Sequence, residues 1–172
     1  MGKRGYIFLP GGFNSVIEEL SKKYRIYAPV LKEKEGRFTD TDVVRYDFVN
    51  EVADIEPEKK SDYSFKEILT PLSQTLFFFT ENDVKESEID EREVLVFLRS
   101  CDLNALKRLD QIYLHNGREE DYFYARIRDK VKFVLIGCAH SYEDCFCVDM
   151  GTNKTDDYNI GIKVTDSEIL SR

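Results

Sequence analysis

The 172-residue sequence lacks tryptophan, has only four cysteines and contains no long hydrophobic run. So few cysteines exclude a disulfide scaffold of the kind that small secreted proteins use. The longest uninterrupted apolar run, Val94–Leu98, is far shorter than the roughly 20 residues of a membrane helix. The apolar stretch near the start of the sequence, Tyr6–Pro10, is also shorter than the roughly 7–15 apolar residues of a secretory signal. The sequence therefore predicts a cytoplasmic protein with no membrane span.

Basic residues are neither numerous nor clustered. The chain has 25 lysines and arginines against 33 acidic residues, which gives a net charge of −8. Binding to nucleic acid depends on neutralising phosphates with clustered Lys and Arg, so this balance argues against a nucleic-acid partner. The most acidic window is Glu81–Glu93. We expect it to be a solvated segment before a buried strand, and the alternative is a docking face for a basic partner.

The first half of the chain alternates short elements with polar connections. Apolar residues at helical spacing predict a helix over about 13–24. Short strands are expected at Arg25–Tyr27 and Thr41–Tyr46, followed by a polar connector over residues 50–62. Leu76–Phe79 is a β-prone apolar block, which we expect to pack in the core.

The second half has the pattern of a strand–helix–strand unit. Val94–Leu98 is a continuous apolar run of the kind that is buried on both faces of a parallel sheet, and Val131–Ile136 is a second buried-strand pattern. Between them, apolar residues at helical spacing predict a helix over about 102–115. Elements of these lengths form a βαβ unit, whose connection is right-handed in nearly all proteins.

The elements together predict the fold class. The alternating tail over residues 158–170, broken at 165–167, is typical of a hairpin. No repeat or internal boundary divides the chain, whose length is that of one domain. The sequence therefore predicts one α/β domain over residues 1–172, with a small, mainly parallel or mixed sheet, a C-terminal βαβ unit and a terminal hairpin.

The cysteines lie where the predicted strands end. Cys101 follows the first buried strand by three residues, and Cys138 follows the second by two. Since neighbouring parallel strands end at the same edge of a sheet, both are expected at the edge where ligands bind. Cys101 also precedes a helix N-terminus, whose dipole favours the thiolate. Cys145 and Cys147 share a face in extended chain. Four convergent thiolates suit an iron–sulfur cubane or a structural zinc.

The residues alone also allow other kinds of site at this edge of the sheet. Cys138, His140, Cys145 and Cys147 form a Cys/His zinc set that omits Cys101, although a lone loop histidine more often lies at the surface or beside the ligands. A catalytic Cys–His pair has no orienting acid placed by a motif. A nucleotide- or flavin-binding enzyme would need a glycine pattern that the sequence lacks.

Several short sequence motifs surround the cysteines. Arg99-Ser100-Cys101-Asp102 opens the predicted helix, and Cys145-Phe146-Cys147-Val148-Asp149-Met150-Gly151 follows the second buried strand, which ends in Gly137-Cys138. With Asp121-Tyr122-Phe123-Tyr124 and residues 60–66, these motifs resemble the iron–sulfur electron-transfer subunits of anaerobic sulfite reductases. The related beta subunits of soluble sulfhydrogenases share the motif at the helix start. The resemblance covers nearly the whole chain and is closer to the sulfite reductase family.

The resemblance implies an electron relay in a heteromeric oxidoreductase complex. Such subunits pass electrons from a flavin-containing, NAD(P)H-oxidising subunit towards a sirohaem subunit that reduces sulfite, so both are expected partners. No catalytic residue is expected in this chain. The alternative is a non-redox docking module with a structural zinc or no metal.

The resemblance also implies a 4Fe-4S cluster and its ligands. The ligands would be the four cysteines, Cys101, Cys138, Cys145 and Cys147. Arg99, Asp102 and His140 are expected beside them, with Arg99 as the nearest cation able to offset the charge of the cluster.

The sequence departs from the family pattern in two respects. Ser100 replaces the usual proline before the cysteine. Family members continue into a ferredoxin-like half with two C-x2-C-x2-C-x3-C runs, and these runs are not in this sequence. The chain is therefore expected to correspond to the N-terminal half only, and no role of the ferredoxin-like clusters is carried over to it.

Overall fold

A mixed sheet of seven strands forms the centre of the computed structural model, which describes residues 5–8, 10–88, 90–164 and 169–171. The strands are β1 (Tyr6–Phe8), β2 (Tyr24–Lys32), β3 (Val43–Val49), β4 (Phe77–Phe79), β5 (Val84–Glu86), β6 (Glu93–Leu98), β7 (Val131–Ile136), β8 (Ile160–Val164) and β9 (Ile169–Ser171). The order in the sheet is β1-β9-β8-β7-β6-β2-β3, and β4 and β5 pair separately. The central strands β2, β6, β7 and β8 run parallel, with antiparallel strands at both edges. This confirms the predicted α/β fold with a mixed sheet.

The predicted βαβ unit is present. Strands β6 and β7 are parallel neighbours, and Val96 lies opposite Phe133. The connection contains helix α2 (Ser100–Leu114) and a second helix, α3 (Tyr122–Arg128), which the sequence analysis missed. Asp121 caps α3 by accepting a hydrogen bond of 2.8 Å from the backbone N–H of Tyr124. An Asp at an N-cap is the local signal for this helix.

Side chains on β6 alternate between two cores. Val94, Val96 and Leu98 point to the face covered by α2, α3 and a 3-10 helix at Phe65–Ile68. Leu95 and Phe97 point to the other face, which α1 (Pro10–Lys23) covers. The period of two along a strand explains why this continuous apolar run is buried on both sides.

The apolar block Leu76–Phe79 does not pack in the core, so that prediction is wrong. Strand β4 pairs only with β5 in a two-stranded hairpin. The side chains of Phe77, Phe78 and Phe79 are 52%, 60% and 74% exposed. Hairpin β4–β5 precedes β6 in the chain and adds no strand to the seven-stranded sheet, so these side chains are not covered by its layers. The window Glu81–Glu93 contains β5 and the connection to β6.

The end of the chain forms the predicted antiparallel pair, with Val164 opposite Ile169. The predicted break at 165–167 and Glu168 lie outside the described residues. No helix in the described part of the chain has the length and apolar character to cross a membrane.

Candidate functional site

All four cysteines line one cavity of about 90 Å³ at the carboxyl ends of β6 and β7. Cys101 is the second residue of α2, and Cys138 follows β7 by two residues. Cys145 and Cys147 come from the segment 137–159 between β7 and β8, which we call the cysteine loop. Parallel pairing of β6 with β7 brings these elements together, because it places both strand ends at the same edge. We call this space the cysteine cavity.

The thiols are close enough to affect one another's ionisation. The pKa of Cys101 is raised to about 11, mainly by burial and in addition by the charges of Asp102, Cys138 and Cys147. The backbone of Asp102, at the start of α2, lowers the pKa of Cys101 in the direction expected of a helix N-terminus, but burial outweighs this contribution. Burial also raises the pKa of Cys138, while the positive charge of Arg99 opposes this shift.

Arg99 connects the cysteine cavity to the connector that precedes the 3-10 helix. Its side chain is buried, with 5% of its surface exposed. Its Nη2 atom donates to the backbone oxygens of Pro57 and Lys59, at 3.2 and 2.7 Å, and to the hydroxyl of Tyr142, at 2.8 Å. Its Nε atom is buried and has no hydrogen-bond partner among the described residues. Arg99 therefore lies at the cavity that the cysteines line.

Tyr142 is a residue of this site that the sequence analysis missed. Its hydroxyl donates to the backbone oxygen of Glu58, and its ring lies 4.9 Å from the Arg99 guanidinium carbon. Its backbone N–H donates to Sγ of Cys145 at 3.3 Å, and the backbone N–H of Cys145 donates back to its carbonyl at 3.1 Å. Tyr142 therefore fixes one end of the cysteine loop across the cavity. The sequence carries no signal for it beyond an aromatic residue between two cysteines.

Asn104 fixes the other end of the cysteine loop. Its side-chain amide donates to the backbone oxygens of Ser100, Thr152 and Lys154, at 2.9, 3.2 and 3.1 Å. The backbone N–H of Thr152 in turn donates to the carbonyl of Cys147 at 2.7 Å. Helix α2 thus supplies Cys101 and also anchors the chain that follows Cys147.

The other two residues expected beside the cluster differ in position. Asp102 lines the cavity, and burial raises the pKa of its carboxyl group, while the backbone and charge of Arg99 oppose the shift. His140 is exposed and is not among the residues that line the cavity. Its ring centroid lies 5.0 Å from that of Tyr142. The structure therefore does not bring His140 to the cysteines as the Cys/His zinc set would require.

The residues fit an anionic, sulfur-bound group by their chemistry. Thiolates are the ligands that zinc and iron–sulfur clusters prefer, and the buried Arg99 supplies a positive charge beside them. Among the described residues, no group of three or more His, Cys, Asp or Glu side chains is already arranged to hold a metal ion. The cysteine side chains would therefore have to come closer together to bind one.

Comparison with known proteins identifies a relative of this chain. The chain is 30% identical to sulfhydrogenase 2 subunit beta of Pyrococcus furiosus over 141 residues, which is 82% of this chain and 39% of that protein. The chain thus spans about two fifths of the length of the curated relative that it matches. No family model and no solved structure matches it.

Proposed function

Because this chain is a distant homologue of a sulfhydrogenase beta subunit, we propose that it is an electron-transfer part of an oxidoreductase complex. The observation that carries the proposal is the cavity lined by four cysteines at the carboxyl edge of the sheet. In open α/β sheets this edge is where ligands bind. The similarity to one subunit of a larger assembly supports a heteromeric complex.

We propose a 4Fe-4S cluster, bound by Cys101, Cys138, Cys145 and Cys147, as the redox group. The size of the cavity supports a cluster over a single zinc ion. A site needs roughly 10–15 Å³ to hold one water molecule, so about 90 Å³ has room for a group of several atoms. When bound, such a cluster accepts and releases single electrons at a potential set by its protein surroundings.

The residues of the chain would hold and shield this group. Tyr142 and Asn104 anchor the two ends of the cysteine loop, which keeps three of the cysteines at the cavity. Arg99 adds a buried positive charge next to Cys138. Cys101 and Asp102 come from the first turn of α2, whose free backbone N–H groups are the natural donors to sulfur.

The motifs around the cysteines support a finer assignment. We propose that the complex is an anaerobic sulfite reductase, in which this chain receives electrons from a flavin-containing, NAD(P)H-oxidising subunit. It would pass them towards a sirohaem subunit. Residues 1–172 would form a single domain that corresponds to the cysteine-bearing part of such subunits.

Metal analysis of the anaerobically purified chain tests the redox group. We expect about four irons and four sulfides per chain, with a brown colour. One zinc without sulfide would instead support a structural module, and a bound yellow flavin would support a flavin enzyme. Either of these results contradicts the relay.

Substitution of one proposed ligand tests the site. We expect Cys101→Ser to lose most of the iron and sulfide, since a serine hydroxyl replaces one of four thiolate ligands. Ala105→Ser, which adds a hydroxyl to the same helix, should retain both. Equal iron content in the two variants would remove Cys101 from the ligand set.

The sulfite assignment requires the whole complex. Affinity purification of the tagged chain from its own cells under anaerobic conditions should yield a complex that reoxidises reduced viologen when sulfite is added. A complex that turns over hydrogen and does not respond to sulfite would support a hydrogenase-type role and contradict the sulfite reductase assignment.

A further inference from the structure

Arg99 is buried and forms no salt bridge with a carboxylate among the described residues, although its charge acts on that of Asp102. In the described part of the chain it is the one charged side chain that is buried. The acceptors around its Nη2 atom are neutral: two backbone carbonyls and the hydroxyl of Tyr142. A buried charge is costly unless an opposite charge or strong hydrogen bonds offset it. Among the described residues, the guanidinium therefore has no anion that accepts a hydrogen bond from it.

The Nε atom of Arg99 is a hydrogen-bond donor that is available to such an anion. This atom is buried and donates to nothing in the described protein. Buried donors without a partner are rare in native structures, and each calls for a specific explanation. The Arg99 side chain lines the cysteine cavity, and its charge acts on the Cys138 thiol. The unused donor and the unbalanced charge thus occur together at the cavity.

We propose that Arg99 binds the group held by the four cysteines and raises its reduction potential; this inference rests on the proposed function. The Nε–H donates a hydrogen bond to a sulfur atom at the cavity. The guanidinium charge offsets the net negative charge of a thiolate-bound group. One-electron reduction adds one negative charge to that group, so a fixed cation beside it stabilises the reduced form more than the oxidised form.

Burial is the reason that Arg99 should act more strongly than other cations near the cavity. Lys60 also lines the cavity, but its side chain is exposed to solvent. Water and ions screen an exposed charge, whereas a buried pair is screened much less. Substitution of either residue by a neutral one therefore removes one positive charge from the same site, and the two variants can be compared directly.

The test is a redox titration of the chain reconstituted anaerobically with iron and sulfide. Dithionite supplies the electrons, and the absorbance and paramagnetic resonance spectra report the fraction reduced. We expect Arg99→Gln to have a more negative midpoint potential than the unsubstituted chain, and Lys60→Gln to shift it less. Arg99→Lys keeps the charge and loses the Nε–H donor, so its potential should also be more negative, by less than that of Arg99→Gln.

The outcomes separate this inference from the proposed function. An unsubstituted chain without iron and sulfide would overturn both. An unchanged potential in Arg99→Gln at full iron content, or an equal shift in Lys60→Gln, would overturn the inference alone. If Arg99→Gln fails to fold, Arg99→Lys decides, because an unchanged potential in that variant contradicts the hydrogen bond to sulfur.

Discussion

At the scale of single residues, burial changes the pKa of the Cys101 thiol more than its position at a helix N-terminus does. Cys101 lies in the first turn of α2, where the dipole stabilises a thiolate by about 0.3–1 kcal/mol. Removal from water acts in the opposite direction and shifts buried groups by up to roughly 3–5 pKa units. The pKa of Cys101 accordingly rises to about 11. A bound cation at the cavity would reverse this balance, since metal coordination deprotonates a thiol.

Tyr142 supplies the first prediction at this scale. Tyr142→Phe removes the hydroxyl that bonds to Glu58 and Arg99, and so removes one hydrogen-bond partner from each. The free energy of unfolding of the metal-free chain should fall by about 1–2 kcal/mol, measured by urea denaturation. Tyr122→Phe, at an exposed ring, is the control and should change it by less than about 0.5 kcal/mol. Equal effects in both variants would exclude the anchoring role.

At the scale of elements, a polar cluster joins α2 to α3. Asp110 on α2 accepts a hydrogen bond of 2.7 Å from the hydroxyl of Tyr124. It also accepts two from Arg128, at 3.0 Å from Nε and 3.1 Å from Nη2. Tyr124 is buried in the core and stacks on Tyr113, with 4.6 Å between ring centroids. The cluster thus fixes the short α3 against the longer helix.

The second prediction concerns this cluster. Asp110→Ala should lower the free energy of unfolding by about 1–3 kcal/mol, because it leaves Tyr124 and Arg128 without their acceptor. Asp157→Ala breaks an ion pair with Lys107 in which both side chains are more than half exposed, so its cost should be about 0–1 kcal/mol. Urea denaturation of both variants measures the difference, and similar costs would contradict the role of Asp110.

The third prediction contrasts two strands of similar composition. Phe97 on β6 is 1% exposed, whereas Phe79 on β4 is 74% exposed. Phe97→Ala should cost about 3–5 kcal/mol of stability through lost burial and a residual cavity. Phe79→Ala should change stability by less than about 0.5 kcal/mol. A large loss of stability in Phe79→Ala would show that hairpin β4–β5 packs against the rest of the protein in solution.

At the scale of the whole molecule, both faces of the sheet are covered by other elements. Tyrosines buried in this way make the free energy of unfolding depend on pH. Burial is the main cause that raises the pKa of Tyr27 to about 12, from an ordinary value near 10. Between these two values the unfolded chain has lost the tyrosine proton while the folded chain keeps it. The free energy of unfolding therefore falls as the pH rises from about 10 to about 12.

The fourth prediction follows from this linkage. Tyr27→Phe removes the titrating group, so its free energy of unfolding should fall less steeply than that of the unsubstituted chain between pH 10 and 12. Below pH 9 the two profiles should run parallel. Urea denaturation across this range measures both, and identical slopes above pH 10 would contradict a raised pKa for Tyr27.

Local patterns determined the central strands and where two cysteines lie. The apolar run Val94–Leu98 must bury alternate side chains on opposite faces, so it predicts a central strand without further information. Parallel pairing of β6 with β7 then brings Cys101 and Cys138 to one edge. The same patterns failed for Leu76–Phe79, because they report that a strand forms and not whether another layer covers it.

The tertiary structure alone decided the long-range polar contacts around the cysteines. Arg99 bonds to a residue 42 positions before it and to one 43 positions after it, and Tyr142 reaches back 84 positions to Glu58. No periodicity encodes polar contacts over such separations, because they depend on how elements pack and not on the pattern within any element. The sequence thus specified the candidate ligands, and the packing of distant segments placed a buried positive charge beside them.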